Sequence, residues 1–498
     1  MSAASREEGP LEVSVKILTK EEAANWHSER RNLYTSGKLF PIKINTEIGA
    51  KRADRIFRVI NKLGYGTYGT VWLVEDTKPP ANAPSRWKAI KIHRRGTADT
   101  DLLVLKEFKR ADITPEKALT EYQVAIPYEQ FPIKGGLDGK TIYTCSVLPL
   151  LGPKVDDMGV FDLSNLEQLG NGKDYASRFA CRQIAEALQK LHKMGIAHGD
   201  FRPSNILYYL PHLDKLSENE ILSVYGQPVA VALKDPVPFI EPEYLCFPAR
   251  CNVKEFKMIL DDKNLDMCLV GQQKEAQAGG SQQLLCATVI DLGSAWHHTW
   301  APRHSLIPVN YQAPELIVRR HGYMSVQSDI WALGCSMVRI HTQQPAFPDD
   351  WPSVNAERPE TNVLAGMEFF LGPIPVPYRN AWKERRRGKN HVFPTNPAHV
   401  GFLEYSTLKK WRKRYRKVEE DNKSPLHVAV WKSEVGRDHA EDFLDLLMGI
   451  FKWFPDQRMS LENILSHPFL QVSVSQASDA GSGSGPGGDK PGGDDSGK

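Results

Sequence analysis

The chain has 498 residues, 41% of them hydrophobic and 25% charged, which is the balance of a soluble globular protein with ample material for a large core. Its formal net charge of +3 is too small by itself to argue for binding to nucleic acid or a membrane surface. The length allows several average domains or one two-lobed enzyme, no apolar run is long enough to span a bilayer, and no signal-peptide pattern opens the chain.

Residues 1–55 are polar and mixed, and only Leu39-Phe40-Pro41-Ile42-Lys43-Ile44 has the look of an extended docking segment. From Ile56 the pattern changes. Phe57-Arg58-Val59-Ile60 alternates as a strand does and leads into Gly64-Tyr65-Gly66-Thr67-Tyr68-Gly69-Thr70-Val71, a G-x-G-x-x-G-x-V pattern. Gly64, Gly66 and Gly69 would let the backbone fold closely over phosphates with its N–H groups aimed at the anion. A dinucleotide fold would open a helix at the last glycine; here Thr70 to Val74 continues as a strand. Trp87 to Ile92 is the next strand and carries Ala89-Ile90-Lys91; standing alone, Lys91 would read as a solvated strand-end lysine. Thr141 to Leu150 is a further strand. Helices dominate afterwards, at Ala176 to Met194 and at Ser325 to His341. Strands first and helices later predict an α+β chain with a small β-rich lobe on a larger α-rich one. Between the two helices lie His198-Gly199-Asp200-Phe201-Arg202-Pro203-Ser204-Asn205, Asp291-Leu292-Gly293 and Ala313-Pro314-Glu315, in that order. The tail from Ser473 to Lys498 is Gly, Ser, Asp, Pro and Lys, too poor in apolar side chains to offset its ordering entropy.

From about Ile56 to Leu470 this ordered set resembles a eukaryotic protein kinase. The resemblance implies the two-lobed kinase fold, with an N-lobe at 56–148, a C-lobe at 152–470 and a disordered tail at 471–498. It also implies ATP and Mg²⁺. Asp200 would orient the attacking hydroxyl and accept its proton, Lys91 would clamp the α- and β-phosphates, and Asn205 and Asp291 would hold the metal ions. Arg202 stands where the family has its catalytic-loop lysine. Leu63, Val71 and Ala89 would roof the adenine pocket and Leu207 would floor it. Leu148 would be the gatekeeper, Pro149 would offer a hinge carbonyl, and Leu151 would donate the hinge N–H. Asp329 would anchor the catalytic loop, and Arg458 of Pro455-Asp456-Gln457-Arg458 would pair with Glu315. The helix acid that pairs with Lys91 falls on Asp101, since Asp101-Leu102-Leu103-Val104-Leu105 resembles E-L-x-I-L, with Glu107 as the rival; Leu105 would then face Leu292.

A narrower likeness is to the serine/arginine-rich protein kinases and their divergent fungal relatives. It rests on Gly199 between His198 and Asp200, on Leu292 in the metal loop, on the insert 211–285 after the catalytic loop, and on Leu371-Gly372-Pro373-Ile374-Pro375. It implies a monomeric kinase acting on serine or threonine of a protein substrate, Arg/Ser-rich by family inheritance, with no nucleic-acid or membrane partner. The alternative is a catalytically weak or inactive scaffold. Arg202 offers a planar fork in place of a point donor. Gly199 removes the arginine that usually receives a phosphorylated loop, Pro308 replaces a frequent Thr, and Gln312 replaces Arg. The insert is expected to pack its first part on the large lobe and to be loose at about 271–283. Lys383 to Lys389 and Lys409 to Lys417 read as solvated basic faces, or as a nuclear signal or anionic docking patch. Seven cysteines without zinc-ligand spacing fit free thiols in a reducing compartment, so an intracellular site, cytoplasmic or nuclear, is expected.

Overall fold

The computed structural model describes residues 13–50, 55–79, 85–97, 99–137, 139–157, 172–210, 212–265, 286–300, 307–318, 323–347, 359–385 and 439–471. The stretch 271–283 of the insert, nearly all of the two basic stretches and the Gly/Ser tail lie outside them.

The first segment supplies strand β1 (Lys16–Leu18), the short helix α1 (Asn32–Thr35) and strand β2 (Glu47–Ala50). Strands β3 (Arg55–Gly66), β4 (Gly69–Asp76) and β5 (Trp87–His93) follow. Next come helices α2 (Asp99–Arg110) and α3 (Pro115–Thr120) and strands β6 (Glu129–Gly135) and β7 (Thr141–Pro149). Six of these strands form one antiparallel sheet in the order β2-β3-β4-β5-β7-β6. Every residue of β5 is buried, so its sequence does not alternate in polarity; it is a central strand covered on both faces.

The large lobe begins with helix α4 (Gly172–Lys193) and strands β8 (Ile196–Ala197) and β9 (Ile206–Tyr209). The insert then gives helix α5 (Glu218–Tyr225), strands β10 (Val229–Ala232) and β11 (Tyr244–Cys246), and helix α6 (Val253–Asp262). Strands β12 (Cys286–Val289) and β13 (Trp296–His297) return to the large lobe, and helices α7 (Pro314–Val318), α8 (Val326–Thr342), α9 (Pro359–Leu371), α10 (Val376–Arg385), α11 (Ala440–Ile450) and α12 (Leu461–Ser466) complete it. Helix α8 starts where Ser325 accepts from the Ser328 N–H and Ser328 reciprocates, so the first orphan donors of the helix are satisfied. Its Trp331 stacks near Phe347 and Phe451 at the centre of the lobe. Trp382, beside the first basic stretch, is buried. No disulfide joins the six described cysteines, and among the described residues no helix is long and apolar enough to cross a membrane.

Among its described residues the insert makes polar ties to the small lobe, the hinge and the first segment. Strand β1 pairs in parallel with β10, which pairs antiparallel with β11. Tyr34, Leu39 and Leu245 bury one another. Arg58 of β3 bonds Glu218, Asn61 Nδ2 donates to the Gly226 carbonyl, and Trp87 Nε1 donates to the Leu216 carbonyl. The wholly buried Lys62 ammonium pairs with Glu29 and donates to the Cys246 carbonyl. The physical reason is a row of polar and charged groups on β3, Arg58, Asn61 and Lys62, that find partners in the insert and the first segment, with Glu75 of β4 sharing Arg58. Leu39 to Ile44 is thus an internal docking segment, with Leu39, Ile42 and Ile44 buried.

Candidate active site

The β3–β4 hairpin carries the glycines. Gly69 has a φ of +150°, and a Cβ there would lie 2.1 Å from the Ile92 carbonyl oxygen, so only glycine fits. A Cβ at Gly64 or Gly66 would meet nothing within 4 Å, so there, unlike at Gly69, no neighbouring atom enforces glycine. Register pairs Gly64 with Val71, Val71 with Lys91 and Ala89 with Leu148, which brings the proposed pocket residues onto neighbouring strands. Leu63 is partly buried beside them, and Leu151 clusters with Leu207 and Ile290.

Lys91 sits between two carboxylates. Its Nζ donates to Asp101 Oδ2 at 3.0 Å and to Asp291 Oδ1 at 2.8 Å. Glu107 is engaged elsewhere, with Arg110 at 2.8 Å. Burial alone would lower the Lys91 pKa, but the charges of Asp291 and Asp101 overcome it and hold the ammonium well above its ordinary range. Asp291 responds in the opposite sense: burial opposes its charge, yet Lys91 keeps its carboxyl below the usual range. Asp291 adopts a left-handed φ of 58°, the kind of strain that surroundings must impose.

The catalytic loop is held from three sides. Asp329 accepts from the backbone N–H groups of His198 at 2.6 Å and Gly199 at 2.9 Å. His198 Nδ1 accepts from the Asp200 N–H, so its Nε2 carries the proton given to the Ile290 carbonyl 3.0 Å away. That ring thereby ties this loop to the residue preceding Asp291. Asp200 Oδ1 accepts from Arg202 Nε at 2.9 Å and Oδ2 from Asn205 Nδ2 at 2.8 Å. Burial raises the Asp200 pKa despite the Arg202 charge. With Nδ2 of Asn205 given to Asp200, its Oδ1 is the atom left to accept. Further out, Arg458 forks onto both oxygens of Glu315 at 2.9 and 2.6 Å.

Asn205 and Asp291 offer an amide and a carboxylate oxygen, the hard donors that suit Mg²⁺. No cluster of three or more His, Cys, Asp or Glu forms a metal cage among the described residues. Two protein ligands plus phosphate oxygens is the pattern expected where the ion arrives with a nucleotide.

Two departures and two omissions stand out. Gly199 has a φ of +77°, and a Cβ there would lie 2.4 Å from the Ser294 carbonyl and 2.5 Å from Met324 Sδ. Gln312 Nε2 donates to the Ile307 carbonyl at 2.8 Å. Sequence reasoning passed over Tyr68, whose hydroxyl lies 2.8 Å from Ser294 Oγ and joins the tip of the glycine hairpin to the metal loop. It also passed over His93, although strand alternation puts it on the same face as Lys91.

A family model for the protein kinase domain matches residues 281–470. The serine/threonine-protein kinase AFC1 of Arabidopsis thaliana is 24% identical over 434 residues, which is 84% of this chain and 72% of that protein. The serine/threonine-protein kinase AFC3 of the same plant is 24% identical over 431 residues, 84% of this chain and 82% of that one. The serine/threonine-protein kinase SRPK of Physarum polycephalum is 22% identical over 452 residues, 88% and 90% of the two chains.

Proposed function

We infer that this chain, a protein serine/threonine kinase with a two-lobed kinase fold, transfers the γ-phosphate of ATP to a protein hydroxyl with Asp200 as its base. The acceptor oxygen bonds to the γ-phosphorus while the bond to the β–γ bridging oxygen breaks. ADP departs with that electron pair, and the acceptor proton goes to Asp200. Lys91, fixed by Asp101 and Asp291, is the phosphate clamp. Arg202 and Asn205 orient the two oxygens of Asp200. Leu63, Val71, Ala89, Leu148 and Leu207 enclose the adenine, with Leu151 donating its N–H. Mg²⁺, when bound, would be held by Asn205 and Asp291 and would neutralise phosphate charge.

One observation carries this reading: Lys91 bonds both carboxylates while His198 joins the loop of Asp200 to the residue before Asp291. The scaffold alternative draws no specific support, since the lysine, the base and both proposed metal ligands are present and convergent. Asp200→Ala is expected to lower phosphorylation by about two to four orders of magnitude, while a MgATP-induced thermal shift persists. Full activity in that variant would remove Asp200 from its role. The likeness to kinases named for SR proteins supports an Arg/Ser-rich protein substrate, and a peptide array that compares such repeats with scrambled sequences tests it.

A further inference from the structure

Asp101 is one methylene shorter than the glutamate its position calls for, so its reach to Lys91 depends on what holds it there. A row of polar side chains on the inner face of the small-lobe sheet leads to it. Ala89, Lys91 and His93 share one face of β5 by strand alternation. Ser146 lies opposite Lys91 on β7, and Gln130 lies opposite Ser146 on β6. His93 Nε2 is 2.7 Å from Ser146 Oγ, and Gln130 Nε2 donates to the same oxygen at 2.8 Å. His93 Nε2 is also 3.5 Å from Asp101 Oδ2. His93, Ser146 and Asp101 are all buried, at 1%, 0% and 8% exposure.

The surroundings fix the tautomer. Nδ1 of His93 is buried with no hydrogen-bond partner. A bare acceptor there is less costly than an orphaned N–H, so the proton is assigned to Nε2 and donated to Ser146 Oγ, with Asp101 Oδ2 3.5 Å from the same nitrogen. Burial, with the nearby Lys91 charge, pulls the His93 pKa down to about 4, so the ring is neutral. The phosphoryl-transfer steps above make no use of it.

We propose that His93 is a positioning residue for the kinase reaction: its Nε2–H is held by Ser146 Oγ, and the positive N–H edge of the ring, 3.5 Å from Asp101 Oδ2, keeps that short carboxylate on Lys91. It touches neither nucleotide nor acceptor and acts through Asp101. The proposal rests on the reading of Lys91 and Asp101 given above.

The test is made on full-length, nucleotide-free protein. Acetylation of Lys91 by an N-hydroxysuccinimide ester, read by mass spectrometry, reports how firmly its ammonium is held. His93→Leu should raise that rate roughly ten-fold, the scale of a coupled contact. His93→Gln, which keeps an amide N–H near the Nε2 position, should stay near the wild-type rate. Adding Asp101→Glu to His93→Leu should restore protection, because the longer acid reaches Lys91 unaided. A merely structural histidine would lower the thermal midpoint with no Lys91-specific change and no rescue. A folded His93→Leu protein with wild-type protection of Lys91 overturns the proposal. If His93→Leu does not fold, Ser146→Ala decides: faster labelling at Lys91 supports it, and an unchanged rate overturns it. None of these readings needs turnover, so failure of the catalytic assignment would appear separately, in the Asp200→Ala assay.

Discussion

Arg202 and Asn205 between them engage both oxygens of Asp200. In its proposed role as base, Asp200 must be ionised to accept a proton, and its pKa is already raised, mainly by burial, with Arg202 pulling the other way. Removing the Arg202 charge takes away a force that favours the carboxylate, so the pKa rises further. Arg202→Met is therefore expected to move the acid limb of the kcat/KM profile to higher pH; a limb that stays in place would show that the pair does not tune the base. Gly199 belongs to the same scale. Its positive φ and the crowding of Ser294 and Met324 leave no room for a side chain. Gly199→Ala should destabilise the protein by roughly 1–3 kcal/mol in chemical denaturation. The sequence reads Gly199 as the loss of a regulatory arginine; the fold adds that no side chain fits there. Asp200, Asn205, Lys91 and Asp291 stand out in the sequence because each sits in a short fixed pattern, and the fold brings Lys91 to Asp291 and Asn205 to Asp200. Tyr68 and His93 are not, because what matters about them is a partner far along the chain.

At the scale of elements, the junction of β3, the first segment and β11 is the part that sequence patterns hide. Strands of three or four residues, with β1 paired to β10 across some two hundred positions, leave no periodic trace. No motif in the sequence marks Lys62, yet it is wholly buried against Glu29. Burial pushes the Glu29 pKa up, but the Lys62 charge and its hydrogen bonds win, and the carboxyl lies below the usual range. Its contribution to stability is thus present above the unfolded carboxylate pKa of about 4.3 and is lost as pH falls through the lower folded value. Glu29→Ala leaves a buried ammonium unpaired and is expected to cost about 3–5 kcal/mol in urea denaturation at neutral pH. A change below about 0.5 kcal/mol would mean that water reaches Lys62.

For the whole molecule, the order of strands and helices makes the two lobes readable, whereas the placement of the insert is settled by polar groups on β3 that the sequence does not flag. The first segment is part of the same assembly. Removing residues 1–45 deletes β1, exposes Leu245 and orphans Lys62, losses on the scale of the total stability of a domain, about 5–15 kcal/mol. Such a truncation is expected to be insoluble or to melt far below the full chain, and a soluble product with an unchanged thermal midpoint would contradict this account. The insert leaves the large lobe from β9 and returns to it at β12, yet its first part, at Leu216, Glu218 and Gly226, grips β3 and β5, and Tyr225 donates to the Leu151 carbonyl at 2.8 Å. The lobes are therefore joined twice, by the hinge strand and by this second tether. Two springs in parallel add their stiffness, so a rotation of the lobes that widens the cleft is expected to strain both, whereas the tip of the glycine hairpin is tied across the cleft through the Tyr68–Ser294 hydrogen bond.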